Sequence, residues 1–249
     1  MTTRGKAHQA LTHAPTTAWT PGSKRPPHAS LGQSIANSLR EAIVSGSLLP
    51  GQQLKQDMIS SDFNVSPAPV REALRQLESD GLVEHFPNRG VFVADIKEDE
   101  ALRLLLPIRL LLESYALQQI AGQVDEDLLA QLQIQIEIMQ NAADDGDVAR
   151  INAADARFHE LAVEASGSTH AIQLWHSIAP RIRLQFSRLT PRQADLHHVA
   201  EEHEELLAVL RTGDTVRLDA VLEEHIVGIS ARLMGQEARS TEDDTILSA

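Results

Sequence analysis

Asp155 and His159 stand four residues apart in a stretch of helical periodicity, and two further histidines, His203 and His225, flank the turn at Gly213. Residues at i and i+4 share one face of a helix, so this carboxylate and this imidazole point the same way. His203 lies 10 residues before Gly213 and His225 lies 12 residues after it. At about 1.5 Å of rise per residue these are roughly 15 and 18 Å from the turn. Antiparallel helices meeting there would carry both imidazoles to nearly the same height, where four side chains can converge on one ion. Three imidazoles and one carboxylate suit a divalent transition metal, Zn²⁺ first, with Ni²⁺ or Mn²⁺ as alternatives. An octahedral ion with four protein ligands keeps positions open for water or a ligand carboxylate. The chain has 11 histidines. His170, His176, His197 and His198 show no comparable arrangement and read as surface or hydrogen-bonded core residues. His159-Glu160 does not begin a HExxH protease motif, because position 163 is Val163.

A second candidate is Arg109, set among Leu105, Ile108 and Leu112 in a segment that reads as a buried helix. A buried guanidinium needs a partner, and its planar fork matches a carboxylate. Glu113, one turn later, offers a structural ion pair; the carboxylate of a bound effector is the other reading. A third candidate lies near the N-terminus. In Val65 to Leu74 the apolar residues share one face, leaving Ser66, Ala68, Arg71 and Arg75 outside. A hydroxyl, free helix N–H groups and arginines are the groups that hold phosphates and read base edges in a major groove.

These residues must be positioned by helices. Hydrophobic residues make up 42% of the 249 residues but aromatics only 3%, so the core is aliphatic and suits helix packing. Residues 1–30 are basic and rich in Thr, Pro, His and Ala, and read as a disordered tail. From Leu31, Ile35, Leu39 and Ile43 mark a helix closed by Gly46. A short helix follows, with Leu54, Met58, Ile59 and Phe63 expected on its inner face. Ser66 then serves as N-cap, with Pro67 at the first helical position. Val70, Leu74 and Leu77 form the buried stripe, and Gly81 is the stop. Val83–Phe86 and Val91–Val93 read as two short strands around the turn Pro87-Asn88-Arg89-Gly90. Three helices and a two-stranded wing define a winged helix-turn-helix over residues 31–96.

Residues 97–237 read as six helices, roughly 98–121, 125–142, 147–165, 169–189, 192–211 and 214–236. Pro107 is expected to kink the first, and Asp147 and Asp214 are expected N-caps. Residues 238–249 read as a flexible tail. The fold class is therefore mainly α, a winged helix-turn-helix followed by an all-α six-helix bundle. Net charge is −13, but residues 1–97 hold 10 Lys+Arg against 8 Asp+Glu, while residues 98–249 hold 12 against 27. The acidity belongs to the helical part, so DNA binding by the N-terminal part is compatible with it. There is no cysteine, hence no disulfide and no thiolate chemistry. Without a signal-peptide h-region or a transmembrane span, the expected location is the cytoplasm, with no membrane partner.

The stretch Ile43 to Val93 resembles the DNA-binding domain of the GntR regulators. The likeness runs through Gly46 to Leu54, then Val65-Ser66 and Pro69 to Leu74, Leu77, Gly81-Leu82-Val83 and Arg89-Gly90. It implies DNA contacts from Ser66, Ala68 and Arg71, and a wing tip at Arg89-Gly90 reaching the minor groove. Pro67 departs from the basic residue usual there, so the operator sequence does not carry over. Asp155 to His159, Glu202-His203 and Glu224 to Ile226 resemble the FCD effector domain of the FadR-like branch, where Asp-x-x-x-His and two later histidines bind a divalent metal. Six helices point to the VanR-like variant, and Arg109 followed by Glu113 is typical of its first helix. The resemblance implies a regulator, in the sense of a repressor, acting as a homodimer on a palindromic double-stranded DNA operator under control of a small organic or sugar acid. The alternative from another class is a metal-dependent hydrolase of a small acid derivative; no P-loop, G-x-S-x-G or paired general base supports it.

Overall fold

The computed structural model describes residues 30–235; the tails expected at 1–30 and 238–249 lie outside the described residues, save Ser30. The chain is mainly helical. Helix α1, Leu31–Val44, is capped by the Ser30 hydroxyl accepting from the Gln33 N–H. Helix α2 spans Gln56–Asp62 and α3 Pro67–Ser79. Their core is aliphatic, with Ile35, Leu39 and Ile43 of α1 against Val70, Leu74 and Leu77 of α3. Ile59 is buried as expected; Leu54 is buried too, but in an extended pair, Gln53–Leu54, ahead of the helix, whereas Met58 and Phe63 are exposed. A two-turn helix is too short for periodicity to assign its inner face, and only one edge of α2 reaches α3.

The wing holds one strand more than expected. β2, Val83–Phe86, and β3, Gly90–Val93, pair antiparallel around Asn88, whose φ of 62° is left-handed. β1, only Gln53–Leu54, adds to the far edge of β3, so the order is β1-β3-β2. Two residues carry no period, so this strand is invisible in sequence. At the tip Phe86 and Phe92 stack edge to face at 5.6 Å, with the Arg89 guanidinium 5.3 Å from the Phe86 ring.

Six helical segments follow. The first begins as α4, Glu98–Glu100, widens into a π turn at Ala101–Leu105, and continues as α5, Leu106–Ile120. In place of the expected kink at Pro107, this widened turn precedes the proline. Proline lacks the N–H that would bond the carbonyl four residues back and its ring crowds that carbonyl, and a π turn accommodates both. Then come α6, Glu126–Asp145, α7, Val148–Ala165, and α8, Thr169–Leu189. After a 3₁₀ turn at Thr190–Arg192 the chain forms α9, His197–Thr212, and α10, Thr215–Glu223. A second π turn, Glu224–Gly228, follows, and residues 229–235 remain helical. Asp147 and Asp214 cap α7 and α10 by accepting from the Arg150 and Arg217 N–H groups, each at 3.0 Å.

Two glycine positions fix how the parts meet. Gly122 and Gly213 both have positive φ, and a Cβ on Gly213 would lie 3.2 Å from the Gly122 Cα. The two turns therefore pack back to back, tying the end of α5 to the α9–α10 turn. Gly81, φ 69°, closes α3, and a Cβ there would lie 2.1 Å from Arg181 Nε of α8. The winged domain leans on α8 at this point, with further ion pairs Arg188–Asp95 at 3.2 Å and Arg183–Glu41 at 3.9 Å. No helix among the described residues is long and apolar enough to cross a membrane.

Candidate metal centre and DNA-binding surface

Helix α7 projects Asp155 and His159 inward from one face, α9 brings His203, and the π turn after α10 brings His225. All four side chains are buried, and one ligand atom from each lies within 4.8 Å of the others. His159 Nε2 is 3.1 Å from both His203 Nε2 and His225 Nε2. Asp155 Oδ1 is 3.3 Å from His203 Nε2 and 3.7 Å from His159 Nε2. Metal–nitrogen bonds of about 2.0–2.1 Å place neighbouring ligand atoms about 3.0–3.4 Å apart, which matches most of these separations.

The other ring nitrogens explain the convergence. His159 Nδ1 faces Glu113 Oε2 at 2.6 Å, and His203 Nδ1 donates to the Val199 carbonyl at 2.7 Å. His225 Nδ1 faces Glu202 Oε2 at 3.1 Å and carries the proton when Glu202 is ionised. With a proton on each Nδ1 and Glu202 ionised, the Nε2 lone pairs are directed at one another and at a carboxylate. Such a set is mutually repulsive unless a cation sits among the lone pairs, and an outer ring of oxygen acceptors is how metal-bound histidines are oriented. The donor set therefore fits a divalent transition ion.

The electrostatics agree. Burial works to raise the Asp155 carboxyl, but hydrogen bonds and positive charge from His159 and His203 outweigh it and hold Asp155 well below the usual range. Burial drives His225 far below the ordinary imidazole value, helped by the charges of His203 and His159. His159 goes the other way: burial lowers it, but the Glu113 charge and the Asp155 hydrogen bond raise it overall. Burial and the Asp155 charge push Glu202 up to about 8; a cation at the Nε2 atoms would offset that charge.

Arg109 is fully buried, and the ion pair with Glu113 is present. Its Nε donates to Glu113 Oε1 at 2.6 Å, and its guanidinium lies 4.8 Å from the Phe186 ring. Its two remaining nitrogens have no partner among the described residues. Arg109 lines a cavity of about 450 Å³ whose walls also include Asp155, His159, Trp175, Phe186 and, from the winged domain, Arg40 and Asp80. Glu113 thus links Arg109 to His159. Sequence reading weighed Glu113 only as a structural partner and did not assign Glu202 a place beside His225. The Glu-His spacing at 202–203 was the available signal for the second. His176, read as solitary, lies with Glu160 and Glu164 in a looser exposed group.

On the winged domain, Ser66, Ala68, Arg71 and Arg75 are exposed along one side of α3, opposite buried Val70, Ala73, Leu74 and Leu77. Ser66 occupies the N-cap position with φ −69° and ψ 162°, but its hydroxyl makes no capping hydrogen bond. That hydroxyl and the Ala68 N–H remain available, Pro67 and Pro69 carrying no N–H. Arg89 is exposed at the wing tip and Gly90 is half-buried beside it.

A recognition helix with a free N-terminal end, a β-wing and a helical bundle define a DNA-binding transcriptional regulator. The chain belongs to the GntR family of bacterial regulatory proteins: that family's pattern matches residues 31–93, and the FCD domain matches residues 104–228. It is similar to the gluconate operon transcriptional repressor of Bacillus licheniformis, 25% identical over 75% of this chain and 78% of the relative. The Escherichia coli transcriptional regulator McbR is 27% identical over 78% of this chain and 88% of the relative. Among solved structures, a GntR transcriptional regulator from Rhodococcus sp. RHA1 superposes with a TM-score of 0.72 at 25% identity, covering 83% of this chain and 99% of that chain. The relatives are transcriptional regulators, and nothing in them supports the hydrolase alternative.

Proposed function

We propose that this regulator is a cytoplasmic, homodimeric repressor whose hold on a palindromic operator is set by a small organic or sugar acid bound in the cavity beside the histidine cluster. The observation that carries this reading is Arg109, a wholly buried guanidinium with two nitrogens free, bordering the same cavity as Asp155 and His159. Leaving such donors unsatisfied is expensive, and a carboxylate fits their fork. Asp155, His159, His203 and His225 would hold a divalent ion, Zn²⁺ first with Ni²⁺ or Mn²⁺ as alternatives, which supplies a positive charge and open positions for an anionic oxygen. Ser66, Ala68, Arg71 and Arg75 would face the major groove, with Arg89 and Gly90 at the minor groove. The domains would divide at residues 31–96 and 97–237. Two of the related repressors are named for gluconate and D-xylose operons, which favours sugar-derived acids.

Calorimetry of a hit from a small-acid screen tests this. Arg109→Ala is expected to weaken binding about 10- to 100-fold, since a charge-assisted hydrogen bond is worth about 1.5–3 kcal/mol. Metal-stripped protein is expected to bind weakly as well. Equal affinity in wild type, Arg109→Ala and stripped protein would remove both Arg109 and the ion from the effector site.

The dimer is expected to form through the helical domain. Leu111 and Tyr115, one turn apart on α5, are 71% and 47% exposed, and Leu104, two turns earlier, is 50% exposed. An exposed apolar stripe of this kind marks an association surface. Leu111→Glu is expected to give monomers by light scattering at micromolar concentration and to weaken operator binding, because two-fold operators are read by paired modules. A Leu111→Glu protein that stays dimeric moves the interface elsewhere.

A further inference from the structure

The cavity beside the histidine cluster is not enclosed by the helical domain alone. Arg40 of α1 and Asp80 at the end of α3 stand in its wall, paired to each other at 2.6 Å. Next to them the wall carries Arg183 of α8, whose Nε is buried without a partner and whose Nη2 lies a loose 3.9 Å from Glu41 of α1. Arg183 precedes Phe186 by three residues, and the Phe186 ring lies under Arg109. Residues three apart on a helix have Cβ atoms about 5–6 Å apart. Arg109 and Arg183 therefore stand in the wall of one cavity, on facing helices α5 and α8.

A charge count separates them. Arg157 is matched by Glu160 and Glu164, and Arg40 by Asp80. Arg109 is paired with Glu113 through Nε alone, and a divalent ion among Asp155 and the histidines would offer an anion open coordination positions at the deep end. At the junction, Arg183 has, among the described residues, only the distant and largely exposed Glu41. The cavity thus offers an anion two places, one deep and one at Arg183 against the DNA-binding domain.

We propose that the ligand of this cavity is an acid with an anionic group at each end, the second held by Arg183 at the domain junction. This rests on the effector reading given above. Arg183 taken by the ligand is Arg183 withdrawn from Glu41, so occupancy loosens a tie between α8 and α1 and changes how the DNA-binding domain is held. A carboxylate and a phosphate can both supply the far anion.

The test is calorimetry on full-length, metal-loaded protein with three probes sharing one six-carbon polyol chain: D-gluconate, D-glucarate and 6-phospho-D-gluconate. Wild type is expected to bind at least one doubly charged acid about ten-fold or more tighter than gluconate, and whichever of the two it is identifies the far anion. Arg183→Gln is expected to reduce that acid to the level of gluconate while leaving gluconate unchanged. Glu41→Gln, which removes the competing carboxylate, is expected to tighten the same acid; a merely structural Arg183–Glu41 contact predicts no such gain. Equal affinity for all three probes, or equal weakening of all three by Arg183→Gln, overturns the proposal and leaves the effector reading standing. Absence of binding by every probe in wild type overturns the sugar-acid reading itself, and the proposal with it.

Discussion

Chelation of the divalent ion is expected to lower the melting temperature by about 8–16 °C. An ion present at a thousand times its dissociation constant stabilises the folded state by about 4 kcal/mol, and each kcal/mol shifts a domain of this size by about 2–4 °C. The candidate ligands come from α7, α9 and the π turn after α10, so an ion there would brace three helices. Differential scanning fluorimetry of loaded and stripped protein measures it, with elemental analysis as the companion. His203→Ala is expected to melt lower than wild type when loaded. His203 also packs against Phe158 at 4.7 Å, so part of that loss is packing. The decisive comparison is that the gap between wild type and His203→Ala narrows after chelation. A gap of unchanged width, or wild type that takes up no metal under any loading condition, rules the centre out.

The same site gives a pH dependence of definite sign. The ion needs all three Nε2 atoms unprotonated. In the stripped fold His159 has a raised pKa, so its own contribution to stability is present below the unfolded value of about 6.5 and is lost as pH rises through the raised value. The stripped fold therefore takes up a proton where the loaded fold cannot. The difference in melting temperature between loaded and stripped protein is expected to shrink as pH falls from about 7.5 toward 5.5. His225, held low, adds no protons to the fold in that window.

Arg71→Ala is expected to weaken operator binding roughly 5- to 150-fold per half-site, the equivalent of about 1–3 kcal/mol for a lost base contact. Arg71 is exposed one turn into α3, and no hydrogen bond or ion pair holds it among the described residues. Its melting temperature should therefore stay within about a degree of wild type, exposed substitutions being worth no more than about 0.5 kcal/mol. Fluorescence anisotropy against upstream operator DNA checks the first quantity and thermal melting the second. Unaltered affinity would take Arg71 out of the interface. Arg75, one turn further along, is expected to contribute less, because the N-terminal end of a recognition helix lies deepest in the groove.

Much of the fold was legible because helix ends are written locally. Gly81 and Gly213 stop helices by adopting positive φ, and Asp147 and Asp214 start them by capping. The wing was legible from alternation on either side of Asn88-Arg89-Gly90. What escaped was short or long-range. β1 exists only because β3 offers it an edge. Met58 and Phe63 were placed inside because both are apolar, yet α2 has too few turns for its neighbours to cover them. Neither π turn could be read beforehand: the one at Ala101–Leu105 precedes Pro107, and the one at Glu224–Gly228 carries His225 where regular helix was expected.

At the site, sequence alone determined which groups can donate lone pairs and which share a helix face. Asp155 and His159 four apart are enough for that, because side-chain direction along a helix follows from local backbone sterics. Sequence also placed His203 and His225 at comparable heights, since rise per residue is constant. Only the tertiary structure decided that the three Nε2 atoms meet, since that requires the back-to-back packing of Gly122 and Gly213 and a π turn under His225. It alone decided that Arg109 both pairs with Glu113 and keeps two nitrogens free, and that the winged domain closes one wall of the cavity. Local sterics act over a few residues and are written in each stretch of chain. Convergence depends on contacts such as Glu202–His225, His159–His203 and His159–His225, 23, 44 and 66 positions apart, whose geometry no local pattern records.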